Sequence, residues 1–231
     1  MVKKPSGKKA PEKKAGAKKA RAKKGVSTTV RKASGASDSD VARRIVETAL
    51  ALAVERGWRD LSLAEIAEAA GLPLSQVYAI FSSKQAILGG FADRVDAAML
   101  AEGGEDTNLP ARDRLFDMVM RRFDALQPHR EALGIIAQDQ LCDPLTLCCG
   151  LHRFRRSMAA TLEGAGFSTS GCRGVLRIKG LSAICLSTFR VWLRDDSEDM
   201  ARTMAHLDRQ LSRVDALIAR LQRYRPGRSA A

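Results

Sequence analysis

The 231-residue chain contains no apolar run approaching the roughly 18 residues that a membrane span requires, so a spanning role is excluded. Its first 35 residues lack the apolar middle of a secretory signal, and export is not expected. Cysteine is scarce and odd in number: Cys142, Cys148, Cys149, Cys172 and Cys185 have no framework spacing. They suit a reducing, cytoplasmic compartment better than a disulfide scaffold. There is no glycine-rich phosphate loop, and no serine or cysteine stands with a recognisable base motif, so catalysis is not expected. Strand-type alternation is missing too, which points to an all-α fold. Lysine is nearly absent beyond residue 35, where only Lys84 and Lys179 occur and arginine supplies the positive charge.

Most of the basicity therefore lies at one end. The chain holds 39 Lys+Arg against 26 Asp+Glu, a formal net charge of +13. Residues 1–35 carry 13 of the basic residues and a single acid, Glu12, while the remainder nets only +1. Lysine pairs recur every five residues, at Lys3-Lys4, Lys8-Lys9, Lys13-Lys14, Lys18-Lys19 and Lys23-Lys24, with Ala, Gly and Pro between. Such a segment buries too little apolar surface to offset its ordering entropy, so residues 1–37 are expected to form a disordered tail. Its composition resembles the arms of linker histones and bacterial histone-like proteins. The chemistry implies salt-sensitive, sequence-independent affinity for double-stranded DNA; a solvated solubility tail is the alternative. The body, in a chain that is 45% hydrophobic, can build a sizeable core.

Residues 38–100 predict short, well-capped helices. Ser39 or Asp40 can cap a helix over 41–56 whose inner face carries Ile45, Ala49, Leu52 and Ala53, with Gly57 as its stop. Ser62-Leu-Ala-Glu65 is a capping box opening a short helix that Gly71 ends. Pro73 can occupy the first position of the next helix, which runs to about Ile80. Ser82 with Gln85 predicts a further box before a helix over 84–100. Two short helices across a glycine turn, braced by longer ones, form a helix-turn-helix, whose second helix enters the major groove.

Three segments then fall in register with a known family: Ala49-Leu-Ala-Leu-Ala-Val-Glu-Arg-Gly57-Trp58, Leu61-Ser-Leu-Ala-Glu-Ile-Ala-Glu-Ala-Ala-Gly71, and Val77-Tyr78-Ala-Ile-Phe81-Ser-Ser-Lys84-Gln-Ala-Ile-Leu88. Together they resemble the TetR family of bacterial transcriptional regulators. The resemblance implies that Ser62 touches phosphate, that Ser75 and Gln76 face base edges, and that Tyr78 and Lys84 grip the backbone. Arg43 and Arg44 can add phosphate contacts. This chain departs from the family pattern at Pro73-Leu74-Ser75 and at Ala79-Ile80, where family members commonly carry polar residues. That departure weakens operator reading by this helix: either the tail compensates through non-specific affinity, or specific binding has been lost.

A turn-rich stretch, Glu102–Pro110, separates this region from a helical domain over 110–224. Helices are expected near 112–126, 128–140, 143–165 and 173–193. The last helix carries Met200, Met204, Leu207, Leu211, Val214, Ile218 and Leu221 as a heptad seam behind an Asp196-Ser197 cap. Together with Leu181 and Ile184 of the preceding helix, Met204 to Leu221 are the candidate homodimer interface, as the family resemblance implies. Packing within one chain is the alternative. A small lipophilic effector would sit among Phe116, Met120, Phe123, Ile135, Ile136, Leu151 and Trp192, although ordinary core filling explains the same residues. The stretch 189–217 also resembles TetR-fold lipid-binding proteins of ubiquinone biosynthesis. That implies a second reading, an isoprenoid-lipid carrier that no longer reads DNA.

One constellation has possible metal or thiol-sensor spacing: Cys142, Cys148, Cys149 and His152. Buried cysteine behaving as a small hydrophobe accounts for it more simply, so no metal and no cofactor is expected. The reading that results is a dimeric DNA-binding regulator acting as a repressor, with the lipid carrier as its alternative.

Overall fold

A computed structural model describes residues 28–101, 109–140 and 144–223, with side chains at 38–101, 109–140, 150–217 and 220. The chain divides into two units, Met1–Asp38 and Ser39–Ala231, and the packing below is that of the second. The described residues contain nine α-helices and no strand. They are α1 (Thr28–Arg56), α2 (Leu63–Ala69), α3 (Leu74–Ile80), α4 (Lys84–Ala101), α5 (Ala111–Leu126), α6 (Arg130–Gln140), α7 (Pro144–Gly164), α8 (Gly171–Trp192) and α9 (Ala201–Arg223). A single 3-10 turn, Gln127–His129, joins α5 to α6. No helix is long and apolar enough to cross a membrane among these residues.

Local chemistry explains most boundaries. The Ser62 hydroxyl accepts from the Glu65 amide at 3.2 Å while the Glu65 carboxylate accepts from the Ser62 amide at 2.8 Å, so both halves of the capping box are formed. Gly57 and Gly71 adopt φ of +83° and +63°, the left-handed turn that ends α1 and α2.

Three starts differ from expectation. Helix α1 begins at Thr28, so Ser39 and Asp40 lie inside it rather than capping it; Asp40 instead pairs with Arg43 at 3.0 Å, one turn on. Pro73 is the N-cap of α3 rather than its first helical residue. Ser83, not Ser82, caps α4, its hydroxyl accepting from the Ala86 amide at 3.1 Å.

The ninth helix is capped by Ser197 as expected, but not by Asp196. Its first amide, Ala201, donates to Ser197 Oγ at 3.0 Å and Asp199 Oδ1 at 3.1 Å. Asp196 turns away to Arg130 at 2.9 Å. The buried Asp195 carboxylate accepts from the Thr203 amide and hydroxyl, at 2.8 and 2.6 Å, and from Ser197. Burial pushes this carboxyl upward, but the hydrogen bonds from Ser197 and Thr203 outweigh it and hold it at about 2.

Two hydrophobic clusters form the core. The first joins Ile45, Ala49 and Leu52 of α1 to Ile66, Val77 and Phe81, to Ile87, Phe91 and Val95 of α4, and to Ala132 and Ile136 of α6. The second holds Met99, Leu115, Val119, Phe123, Met158, Leu181, Trp192, Leu207 and Leu211. Helix α4 contributes to both clusters. Burying a side chain such as Met158 or Leu207 contributes about 1.5–3 kcal/mol, against under about 1 kcal/mol for an exposed ion pair. Packing therefore dominates the fold.

Polar links cross the same helices. Arg122 of α5 donates to Asp96 of α4 at 2.6 Å, and Ser157 of α7 donates to the same carboxylate oxygen at 2.6 Å. Arg153 of α7 reaches the Gly89 carbonyl at 3.2 Å and Asp93 at 2.8 Å.

Candidate nucleic-acid interface

Helix α3 turns one side inward and the rest outward. Val77 and Phe81 are buried, whereas Leu74, Ser75, Gln76, Tyr78 and Ala79 are exposed. Tyr78 is 61% exposed and Leu74 48%, so neither is part of the core. Ser75 and Gln76 are thus free to meet base edges, and Tyr78 to meet a sugar or phosphate. Arg44 is exposed and bound in no ion pair among the described residues, while Arg43 is partnered by Asp40.

Two of the expected contacts are occupied within the chain. Ser62 Oγ donates to Glu65 at 2.7 Å as part of its box. Lys84 is half-buried, its Nζ donating to the carbonyls of Trp58 and Arg59 at 2.8 Å each and lying 5.4 Å from the centre of the Trp58 ring. Burial lowers its pKa, against the opposing pull of Asp60, Asp139 and Glu65. Lys84 is accordingly a brace between α4 and the turn after α1, rather than an open phosphate ligand.

The other side of that turn is held by a residue the sequence did not single out. Asp139, in the last turn of α6, accepts from the amides of Trp58 and Arg59 at 2.9 Å each. A carboxylate thus takes the amides and an ammonium takes the carbonyls of the same two residues. No local signal marks Asp139, because its partners lie about 80 positions away. This clamp ties the turn after α1 to both α4 and α6.

Electrostatically, residues 38–100 are not a basic surface. They hold six basic and nine acidic residues, and Arg43, Arg56 and Arg94 each face a carboxylate. The lysines from Lys3 to Lys24, proposed for sequence-independent contacts, lie outside the described residues.

The expected effector residues are dispersed. Met120, Phe123 and Trp192 are buried and Phe116 packs beside them in the second cluster, where Trp192 meets the Phe123 and Phe189 rings and donates to Gln127 at 2.6 Å. Ile136 belongs to the first cluster, Ile135 is half-buried, and Leu151 is 48% exposed. None of them lines the described cavities: Met120, Phe123, Ile136 and Trp192 fill core, and Leu151 faces outward. A cavity of about 350 Å³ lies instead among Leu88, Ala92, Arg122, Arg153, Phe154 and Ser157. A wider groove of about 920 Å³ runs between α6 and α8, over Gly134, Ala137, Leu186, Phe189 and Leu193.

The seam is divided likewise. Leu181, Ile184, Leu207 and Leu211 are buried and Met204 half-buried inside their own protomer. α9 needs that inward stripe to dock on α8 and α5, so these residues are not open to a second copy. Further along, Val214 and Leu217 are 38% and 57% exposed; the side chains of Ile218 and Leu221 lie outside the described residues. Leu176 and Leu186 on α8 are exposed as well, at 72% and 47%.

The thiol cluster is only partly visible. Cys142 and the side chains of Cys148 and Cys149 lie outside the described residues, and His152 is exposed. Cys185 is buried, and burial pushes its thiol up to about 12 against the pull of Arg122. No group of metal-ligating side chains is assembled among the described residues.

Comparison with known proteins gives two matches of different kind. Residues 45–90 match the model of bacterial regulatory proteins of the tetR family, and residues 178–218 match that of COQ9. No curated protein matches. The TetR transcriptional regulator from Nitrosomonas europaea is 26% identical with a TM-score of 0.64, covering 76% of this chain and 98% of that one. A regulator from Streptomyces coelicolor is 20% identical with a TM-score of 0.52, covering 80% and 92%. One from a Rhodococcus species is 16% identical with a TM-score of 0.53, covering 75% and 97%. The chain therefore has the all-α fold of the TetR transcriptional regulators, with that family's sequence match on its helix-turn-helix and a COQ9 match on its last two helices.

Proposed function

We propose that this protein is a dimeric, DNA-binding transcriptional repressor of the cytoplasm that answers to a small, largely apolar ligand. The observation that carries the reading is the tetR-family match over 45–90, lying on a helix pair whose α3 presents Ser75, Gln76 and Tyr78 outward. Because residues 38–100 carry more acid than base, the lysine repeat is the natural source of phosphate affinity. The exposed Leu176, Leu186, Val214 and Leu217 are the surface a second copy would cover, and two-fold pairing matches a palindromic operator. A ligand in the cavity beside Arg122 and Ser157 touches the groups that hold Asp96 of α4. Its occupancy would shift the population between two settings of α4, and so of α3.

Gel shifts on the protein's own upstream region test this, comparing the full chain with one starting at Thr28. Both should select one palindrome, the shorter chain with weaker affinity and a shallower salt dependence. Binding by the full chain alone, indifferent to sequence and abolished by salt, would rule out a specific repressor. The second reading, a lipid carrier, is favoured by the COQ9 match over 178–218. It predicts a lipid extracted with the purified protein and no operator.

A further inference from the structure

The outward face of α3 is unusual for a DNA-reading helix in what it omits. Its sequence, Leu74-Ser-Gln-Val-Tyr-Ala-Ile80, contains no lysine, arginine or acid. The commonest specific contact to guanine is an arginine or lysine reaching O6 and N7, and α3 cannot make it. What it exposes is one amide, Gln76; one hydroxyl, Ser75; and three groups able to make apolar contact, Leu74, Ala79 and the Tyr78 ring. A glutamine amide matches adenine, donating to N7 and accepting from N6, while apolar side chains match the C5-methyl of thymine. Leu74 and Tyr78, one turn apart, form an exposed apolar pair that water serves poorly and a row of thymine methyls would cover.

We infer that the base pairs read by α3 are A·T pairs, with Gln76 specifying an adenine and Leu74 and Ala79 specifying thymines through their methyl groups. The inference rests on the regulator reading proposed above and sharpens it, since it names the sequence class of the operator. Lys84, Arg43 and Arg44 do not lie on α3 to supply the missing guanine contact. Lys84 is held by the Trp58 and Arg59 carbonyls, and Arg43 and Arg44 belong to α1, where they suit phosphates. Sequence choice on this surface then depends on Gln76 and on methyl contacts, whose apolar part is insensitive to salt, while the lysine repeat provides the salt-sensitive part.

The test is selection from random duplexes with the full chain, at a salt concentration that suppresses binding to arbitrary DNA. Affinities for the selected site and its base analogues follow by fluorescence anisotropy. The expected consensus has A·T pairs at the positions under α3 in each half-site. Replacing the specified adenine by 7-deazaadenine should weaken the wild type and leave Gln76→Ala unaffected, and Gln76→Ala itself should lose roughly 5- to 150-fold. Replacing the contacted thymine by uracil should weaken the wild type a few-fold but leave Leu74→Ala unchanged. Both side chains are exposed, so the variants should melt with the wild type, which separates lost contacts from lost fold. A consensus with G·C pairs under α3 overturns this inference while leaving a sequence-reading regulator intact. Selection that yields no consensus overturns both.

Discussion

Lys84 shows how one residue can satisfy a family pattern and still do a different job. Its position at the start of α4 fits a phosphate contact, yet its ammonium is committed to two carbonyls and an indole face. Lys84→Met keeps the aliphatic stem and removes both hydrogen bonds. It should destabilise the protein by about 1–2 kcal/mol in urea unfolding, a brace's signature rather than a phosphate ligand's. Asp195 is the corresponding anion. Its carboxyl is depressed from 3.8 to about 2, so its contribution is present above pH 4 or so and is lost as pH falls toward 2. Asp195→Asn should cost on the order of 2 kcal/mol at neutral pH and flatten the stability profile across that acid window. Neither role was legible in the sequence, because each depends on partners assembled by the fold. Ser62 with Glu65 was legible, because three residues contain the whole interaction.

At the scale of elements, helix existence and order could be read from spacing, while helix starts could not always be. α5 to α8 begin within two residues of expectation, because Pro and Gly punctuate them. α1 overshoots its expected cap by more than ten residues, and Asp40, inside the helix, pairs with Arg43. A tighter constraint governs the start of α8. A Cβ on Gly174 would lie 1.8 Å from the Thr169 carbonyl oxygen. Alanine normally gains about 0.5–1 kcal/mol over glycine inside a helix, but here the backbone must open to admit it. Gly174→Ala should therefore lower the melting temperature, where helix propensity alone would raise it. The heptad seam on α9 is the instructive partial reading. Periodicity found the inward stripe from Met200 to Leu211, but period cannot say whether its partner is the same chain or another. Leu207 and Leu211 turn inward, and Val214 and Leu217 do not.

For the whole molecule, charge and apolar surface are segregated. Of the formal +13, a net +12 lies in residues 1–35, while the helices that would meet DNA hold more acid than base. On the function proposed above, sequence-independent attraction and base reading would fall to different parts of one chain. Association of two chains has its own test. Leu176→Glu places a charge on the most exposed apolar residue of α8, where it meets no core of its own protomer. Sedimentation should find the wild type dimeric and this variant monomeric, with helical content unchanged; a dimeric variant would place the interface elsewhere.

The clamp on Trp58 and Arg59 limits how the N-terminal helices can be reused. Cut out as residues 38–100, they would lose Asp139 and leave two amides without their acceptor, and they would lose Ala132 and Ile136 from their core. These helices are therefore not a portable reading head: grafted onto another scaffold without α6, they would arrive with their footing missing.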